Sequence, residues 1–269
     1  MAKKLYEESN IQAIANAIRE KNGTTTEYKT RDMASAISAI ESKNYDNIIA
    51  KTITEISSNV TTICTYTLYN CDRLVTADFP KATSIEDYAF YGTTALKNIN
   101  FPLVRDIGRY AFRGAGFENA YFPVATYAGA SSFAYNTSLK TVNLPKVEEV
   151  LGSVFSNCTA LQSVDLPKAT ELGNYAFEKC YSLKTIILRS GTLCTAGTSI
   201  LSNAYHFLGT TNATYNPSGS KDGYIYVPSA LINTYKAASN WSTYATQFRV
   251  LENYTVDGTT TGALDESKI

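Results

Sequence analysis

A residue pair, Phe-Pro or Leu-Pro, recurs through the middle of the chain at a nearly constant interval, and this period constrains the fold more than any other feature. Successive pairs are 22, 21, 22 and 22 residues apart. They begin at Phe79, Phe101, Phe122, Leu144 and Leu166. A period of roughly 20 to 50 residues is typical of chains that stack one small unit on the next, so we predict a repeat solenoid.

Four apolar columns keep step with these pairs. The first holds the core aromatic of each unit: Leu68, Phe90, Phe112, Phe133, Phe155 and Phe177. The second, five residues earlier, holds Ile63, Ile85, Ile107, Ala128, Val150 and Leu172. The third and fourth follow the aromatic and hold Leu74, Leu96, Phe117, Leu139, Leu161 and Leu183, then Ala77, Ile99, Ala120, Val142, Val164 and Ile186. The fourth column alternates with polar residues, which predicts a short strand with one buried face in each of six units.

The columns combine into a pattern of the form Ile-x-x-Tyr-Ala-Phe, followed by Cys or Thr three residues later and Leu three residues after that. It stands at Ile85–Phe90 and, with Leu in first place, at Leu172–Phe177. This pattern resembles the BspA-type leucine-rich repeat. The resemblance implies a leucine-rich-repeat-like solenoid of short strands joined by loops and turns. The fourth unit has Ala128 and Ser132 where Ile and Ala are usual, and we expect weaker packing there.

Polar side chains flank the fourth column on every predicted strand. Since side chains alternate along a strand, these neighbours should point to solvent. They form two rows: Thr76, Asn98, Asn119, Thr141, Ser163 and Thr185, then Asp78, Asn100, Tyr121, Asn143, Asp165 and Ile187. We predict that the ten members from Thr76 to Asp165 bind a ligand, a cell-surface glycan or a protein receptor. The alternative, that solvent-facing strand residues are simply polar, stays open.

Two further columns carry chemically distinctive residues. One, two residues before the core aromatic, holds Tyr66, Tyr88, Tyr110 and Tyr175, which serve either as contact residues or as packing residues. Another holds Cys71, Cys158 and Cys180. An odd total of five cysteines without a CxxC pair favours small buried residues over disulfides or metal ligands.

The first 45 residues follow a helical period instead. Apolar residues recur in two runs: Ile11, Ile14 and Ile18, then Met33, Ile37 and Ile40. We predict an α-helical hairpin over residues 1–45 whose apolar stripes either cap the solenoid or dock onto another protein. The segments Ile11–Gly23 and Met33–Ile37 resemble a module at the start of tail and fibre proteins of phages that infect Gram-positive bacteria. That resemblance implies docking to a phage baseplate or tail-fibre protein.

The chain changes character again after the solenoid, which we assign to residues 46–190. From Gly191 to Gly223 it is polar and shows no regular period. Tyr224–Pro228 then predicts a strand, and the spacing from Leu231 to Trp241 predicts an amphipathic helix. This segment is similar to a C-terminal module that closes such repeats in phage and bacterial surface proteins, so we predict a capping strand-helix unit over residues 191–252. Residues 253–269 are expected to form a flexible tail.

Charge and hydropathy exclude several partners. Lys plus Arg and Asp plus Glu both number 24, and this balance argues against nucleic acid. No stretch approaches the roughly 18 apolar residues of a membrane span. The first ten residues also lack the apolar core of a signal peptide. We therefore expect neither membrane insertion nor Sec-dependent export.

The chain offers little for catalysis. His206 is the only histidine, so neither an HExxH motif nor a Ser-His-Asp arrangement with a choice of partners can be written around it. We interpret His206 as a loop or lid residue. The carboxylates are scattered without a recognisable pair. We expect no enzymatic activity, no cofactor and no metal site, and keep a polysaccharide-degrading enzyme as a minor alternative.

Two binding functions follow from these features. The first is a receptor-binding protein of a phage tail that is assembled into the virion in the host cytoplasm and recognises a bacterial cell-surface polymer. Tail receptor-binding proteins are often trimers, so a homotrimer is one expected assembly. The phage-tail function accounts for the docking module and for the missing signal peptide. The alternative is a BspA-like adhesin on a bacterial surface that binds host or cell-surface ligands, and it requires an export route that these residues do not show.

Overall fold

The computed structural model describes residues 54–251, together with the backbone of two short strands beyond them. The predicted N-terminal hairpin, including the docking residues from Ile11 to Ile40, lies outside the described residues. Among the described residues, no helix is both long enough and apolar enough to cross a bilayer.

Two sheets of parallel strands run along the repeats. The first sheet has three-residue strands, one per turn: β1 (Glu55–Ser57), β3 (Thr76–Asp78), β5 (Asn98–Asn100), β7 (Asn119–Tyr121), β9 (Thr141–Asn143), β11 (Ser163–Asp165) and β13 (Thr185–Ile187). The second sheet has two-residue strands between them: β2 (Thr62–Ile63), β4 (Ser84–Ile85), β6 (Asp106–Ile107), β8 (Tyr127–Ala128), β10 (Glu149–Val150), β12 (Glu171–Leu172) and β14 (Thr195–Ala196). Each strand pairs in parallel with its equivalent one turn away, as with Val142 beside Val164. The predicted leucine-rich-repeat-type solenoid is confirmed.

The four apolar columns form one continuous core between the two sheets. The Phe rings of the aromatic column stack face to face, with centroids 5.0 Å apart for Phe90 and Phe112 and 5.5 Å apart for Phe155 and Phe177. The rings of each turn are covered by the neighbouring turns, so a single turn could not shield its apolar core from solvent.

The turns between the sheets use left-handed backbone at two places in every unit. The first place holds Tyr66, Tyr88, Tyr110, Ser131, Ser153, Tyr175 and Ser199, and the second holds Asn70, Gly92, Gly114, Tyr135, Asn157, Lys179 and Asn203. This geometry points successive N–H groups at the next unit: Tyr66 N donates to Asp87 O and Leu68 N to Ala89 O. The strain of a non-glycine residue in this region is therefore offset by a ladder of backbone hydrogen bonds.

The fourth unit contains buried polar side-chain atoms that have no hydrogen-bond partner. Its Ala128 is fully buried, and the Ser132 hydroxyl is buried without a hydrogen-bond partner. Asn136 fills the place that Cys158 holds one turn later, and its Nδ2 donates to Phe112 O and Phe133 O while its Oδ1 is buried unbonded. A buried polar atom without a partner costs stability. The weaker packing expected from Ala128 and Ser132 stays a prediction.

The first sheet is interrupted between β5 and β7, whereas the second sheet continues past this point. The interruption falls in the only unit spaced by 21 residues, where five residues rather than six lead from Phe112 to Phe117. The shortened turn presses Gly116 against the backbone of Thr94, where a Cβ would overlap the carbonyl. Lys97 Nζ bridges the gap with a 2.7 Å hydrogen bond to Gly116 O. The break in the first sheet therefore coincides with the unit that is one residue shorter.

The expectation that residues 191–223 lack the repeat period is wrong, because a seventh turn runs through them. Ala196 pairs with Leu172, Phe177 N donates to Ile200 O, and β15 (Tyr224–Val227) pairs with β13. Leu201 and Phe207 take the places of the core aromatic and the third column, and Val227 and Pro228 form a further residue pair of the repeat. An insertion between Phe207 and Tyr224 separates the third column of this turn from its strand and interrupts the 22-residue spacing.

The remaining C-terminal elements begin within this turn and continue beyond it. They are α1 (Tyr205–Leu208), a 3-10 helix at Ser229–Leu231, α2 (Ile232–Ala237), a second 3-10 segment at Ser242–Gln247 and β16 (Phe248–Val250), which pairs with β15. The predicted amphipathic helix is thus shorter than expected and ends before Trp241. Two further strands, β17 (Thr255–Val256) and β18 (Thr259–Thr260), pair antiparallel within the segment predicted to be a tail.

Candidate binding surface

The strand face, defined as the outward side of the first sheet, carries all ten predicted ligand-binding residues. Five of them are exposed and the other five are half-buried. The exposed ones are Asn98, Asn100, Asn119, Tyr121 and Thr141, and the half-buried ones are Thr76, Asp78, Asn143, Ser163 and Asp165. The residues between them point into the core, as the alternation predicts.

The N-terminal part of this face is a hydrogen-bonded polar patch on β1, β3 and β5. Asp78 accepts from Ser57 Oγ at 3.0 Å and from Asn100 Nδ2 at 2.7 Å. Asn98 Nδ2 donates to Thr76 Oγ1 at 3.3 Å. These bonds run from one turn to the next and hold the side chains in place.

The central part of the face starts at the interruption of the sheet. Tyr121 is 57% exposed and stands on β7, the first strand after the gap. Thr141 Oγ1 donates to Asn119 Oδ1 at 2.6 Å. Lys140 Nζ lies 2.7 Å from Glu118 Oε2, and this hydrogen bond lowers the pKa of Glu118. The centre of the face therefore combines one aromatic ring with fixed amide, hydroxyl and charged groups.

The C-terminal end of the face is less open. Asp165 is paired with Arg189, whose Nε lies 2.9 Å from Asp165 Oδ2. Burial raises the pKa of Asp165, and the guanidinium opposes that rise only in part. Ile187, which the alternation placed on the outward row, is only 4% exposed. The expectation that this row stays open to solvent along its whole length is wrong at Ile187.

The first three tyrosines of the tyrosine column form a stacked ladder at one edge of the solenoid, whereas the two units between Tyr110 and Tyr175 have serine in this column. Tyr66 stacks on Tyr88 at 4.9 Å between centroids, and Tyr88 stacks on Tyr110 at 4.8 Å. A second stack that the sequence did not indicate joins Tyr69 to Tyr91 at 4.9 Å. Because the rings contact each other through their faces, mainly the ring edges are exposed to solvent.

All five cysteines are buried as free thiols. Cys158 Sγ donates to Phe133 O and Cys180 Sγ donates to Phe155 O, so both thiols satisfy core carbonyls one turn back. Burial raises the pKa of Cys71, Cys158 and Cys194 to about 12. In the part of the chain that the structure describes, no cluster of three His, Cys, Asp or Glu residues could hold a metal ion.

His206 lies on α1 and is 4% exposed. Its Nδ1 is hydrogen-bonded to Asp222 Oδ1. Sequence reasoning did not connect this histidine with Asp222, because only the folding of the insertion in the seventh turn brings the two together.

The stacked parallel strands and the polar face define a solenoid repeat protein with one regularly lined surface. More specifically, the chain belongs to the BspA type leucine rich repeat family, which matches residues 24–135 and 105–214 as six copies. Comparison with curated proteins gives no match.

Several solved structures of leucine-rich repeat proteins are similar to this chain. A leucine-rich repeat protein from Bacteroides ovatus is 23% identical over 64% of this chain and 54% of its own, with a TM-score of 0.42. The leucine rich repeat protein of T. pallidum is 21% identical over 48% and 63%, with a TM-score of 0.43. A leucine rich cell surface protein from Faecalibacterium prausnitzii is 17% identical over 71% and 62%, with a TM-score of 0.35.

This chain thus covers between 54% and 63% of the length of those three structures. Neither the family match nor these three structures concern a phage tail or fibre module, and the segment on which that resemblance rests lies outside the described residues.

Proposed function

We propose that this chain is a non-catalytic adhesin of a bacterial surface that binds a hydroxyl-rich polymer, a glycan, along its strand face. The observation that carries the proposal is the pair of polar rows with Tyr121 exposed at their centre. Membership of the BspA type family favours the cell-surface function over the phage-tail function.

The chemistry of the face fits a carbohydrate. Amide and carboxylate groups of Asn98, Asn100 and Asp78 can donate to and accept from sugar hydroxyls, and they are already oriented by bonds between turns. Tyr121 supplies an apolar ring with a polar tip. Parallel strands repeat about every 4.8 Å along the solenoid, so similar groups recur in line, which suits an extended polymer better than a compact ligand.

Binding by the strand face can be tested with purified polysaccharides and whole cells. We expect Tyr121→Ala and Asn119→Ala to weaken binding about tenfold each, because each removes a contact at the centre of the face. Tyr127→Ala is the matched control, since Tyr127 is a half-buried tyrosine on β8 in the second sheet. Equal affinity of the Tyr121 and Tyr127 variants would contradict a site on the strand face.

Location distinguishes the adhesin from the phage-tail protein. Surface labelling of intact uninfected cells should modify the adhesin, whereas mass spectrometry of purified virions should detect a tail protein. Detection only in virions would reject the cell-surface proposal and restore the phage-tail alternative. Prolonged incubation of the bound glycan with the protein should leave the glycan uncleaved, and shortening of the polymer would show that the protein is an enzyme.

A further inference from the structure

A polar cavity of about 380 Å³ opens beside the last regular turns, away from the centre of the strand face. Its lining residues come from two repeats and from the insertion of the seventh turn: Gln162, Ser182, Lys184, His206, Thr214 and Tyr215. The chain thus adds a concave site at the one place where an insertion interrupts the repeat.

The insertion that forms the outer wall is held by its own hydrogen bonds. Asn212 and Asn216 exchange backbone bonds of 2.9 and 3.0 Å. The Asn216 side chain is 1% exposed, and its Nδ2 donates to Tyr205 O at 3.1 Å and to Ser220 O at 3.0 Å. The cavity wall is therefore preorganised, which reduces the entropy cost of binding a ligand.

The charges at the cavity balance one another. Asp222 accepts from Lys184 Nζ at 2.9 Å through one oxygen and from His206 Nδ1 at 2.5 Å through the other. Burial opposes ionisation of Asp222, but these two hydrogen bonds outweigh it, so the pKa of the carboxyl lies below its usual value. With the ammonium of Lys184 matched by this carboxylate, the cavity offers directed polar groups without a net charge to attract an ion.

One wall of the cavity is aromatic. Tyr215 contacts Tyr181 at 4.9 Å between ring centroids, and Tyr181 stacks on Tyr205 at 4.7 Å. This cluster fixes the ring of Tyr215 at the edge of the polar groups. An apolar ring face beside convergent amide, hydroxyl and charged groups matches a sugar ring, which has apolar C–H faces and a polar rim.

We propose that this cavity binds a neutral saccharide, with the sugar ring against Tyr215 and its hydroxyls bonded to Gln162 and Lys184. Asp222 acts indirectly, because it holds the ammonium of Lys184 in place. The volume lies near the lower end of the roughly 300 to 1,000 Å³ of small-molecule sites, so the site takes a short unit, one or two sugar residues. It is a second site, and it does not depend on the strand face being a binding surface.

Titration calorimetry of the full chain with glucose, galactose and N-acetylglucosamine tests the proposal, with glucuronate and glucose 6-phosphate as anionic probes. We expect saturable binding of at least one neutral sugar and weaker binding of both anions. Lys184→Gln should lower the affinity about tenfold, because it removes a charged donor from the cavity. Lys140→Gln is the matched control: Lys140 occupies the same column two turns earlier, has the same 51% side-chain exposure and also pairs with a carboxylate.

Circular dichroism of both variants checks that they fold alike, and Asp222→Asn provides a second variant that removes the negative charge holding Lys184 and His206 in place, with little change of shape. Absence of saturable binding at millimolar sugar, tighter binding of the anions, or equal effects of the Lys184 and Lys140 changes would each overturn the proposal. Tyr121→Ala should leave cavity binding intact, so failure at the strand face and failure at the cavity are distinguishable.

Discussion

The indole Nε1 of Trp241 donates a 2.7 Å hydrogen bond to the backbone carbonyl of Cys194, 47 residues earlier in the chain. The backbone N–H of Cys194 donates to the hydroxyl of Tyr235 at 2.9 Å. Both backbone groups of Cys194 are thus satisfied by aromatic side chains of the C-terminal segment. Trp241, Tyr235 and Phe248 also contact one another edge-on or tilted, with centroids 5.5 to 5.8 Å apart.

Trp241→Phe should destabilise the protein by about 1 to 3 kcal/mol, because it keeps a ring but leaves a buried carbonyl without its donor. Trp241→Ala should cost about 3 to 5 kcal/mol, since it also opens a cavity. Denaturant unfolding followed by circular dichroism measures both. Tyr121→Phe, at an exposed position, is the control and should change stability little; an equally small effect at Trp241 would show that the C-terminal segment does not stabilise the repeats.

Gly116 should tolerate no larger residue. A Cβ there would overlap the Thr94 carbonyl, whereas a Cβ at Gly152 would meet nothing closer than Asn174 O at 3.5 Å. We expect Gly116→Ala to lower the free energy of unfolding by about 1 to 3 kcal/mol, because backbone cannot move aside cheaply. Gly152→Ala should stay within about 1 kcal/mol of the parent protein. Thermal unfolding of the two variants measures this difference. Equal melting temperatures of Gly116→Ala and Gly152→Ala would show that the shortened turn can relax.

Substitution by glycine at two left-handed positions of the same column should change the stability of the protein in opposite directions. Ser153 has a φ of 59° and lies outside the tyrosine stack, so Ser153→Gly should gain up to about 1 kcal/mol by relieving backbone strain. Tyr88 has the same φ of 59° but stacks on Tyr66 and Tyr110. Tyr88→Gly should therefore lower stability, because two stacked contacts and buried area outweigh the relief. Denaturation midpoints report both signs, and a gain at Tyr88 would mean that the stack contributes nothing.

The buried thiols should make the protein sensitive to alkali. Burial raises the pKa of Cys71, Cys158 and Cys194 from 9.0 to about 12. Between these values the folded chain keeps protons that the unfolded chain releases. The stability that these thiols contribute is therefore complete below pH 9 and is lost as the pH rises towards 12, by about 1.4 kcal/mol per thiol per pH unit.

Guanidinium unfolding from pH 7 to pH 11 measures this loss. Cys158→Ala should make the alkaline decline less steep, although it lowers stability at every pH by removing the hydrogen bond to Phe133 O. The slope is the relevant quantity, and a slope unchanged by Cys158→Ala would contradict a thiol origin. The stability between pH 7 and 8 serves as the internal baseline, because the thiols stay protonated in both states there.

The period alone determined the repeat, its four apolar columns and the outward direction of Asn98, Asn119 and Tyr121. This was possible because a stacked unit buries the same positions in every turn, so that local alternation and global packing agree. The shortened interval before Phe122 was also visible in the sequence. Its effect on the first sheet was not, since strand pairing depends on the path of the neighbouring turn.

Only the tertiary structure decided which residues share the cavity of the seventh turn. Gln162 and Lys184 share a column of the repeat, but Thr214 and Tyr215 lie in the insertion and follow no period. They meet because the insertion after Phe207 folds back along the last regular turns. A regular column repeats its environment and can be read from spacing, whereas a site made by one irregular loop exists only once the chain has closed around it.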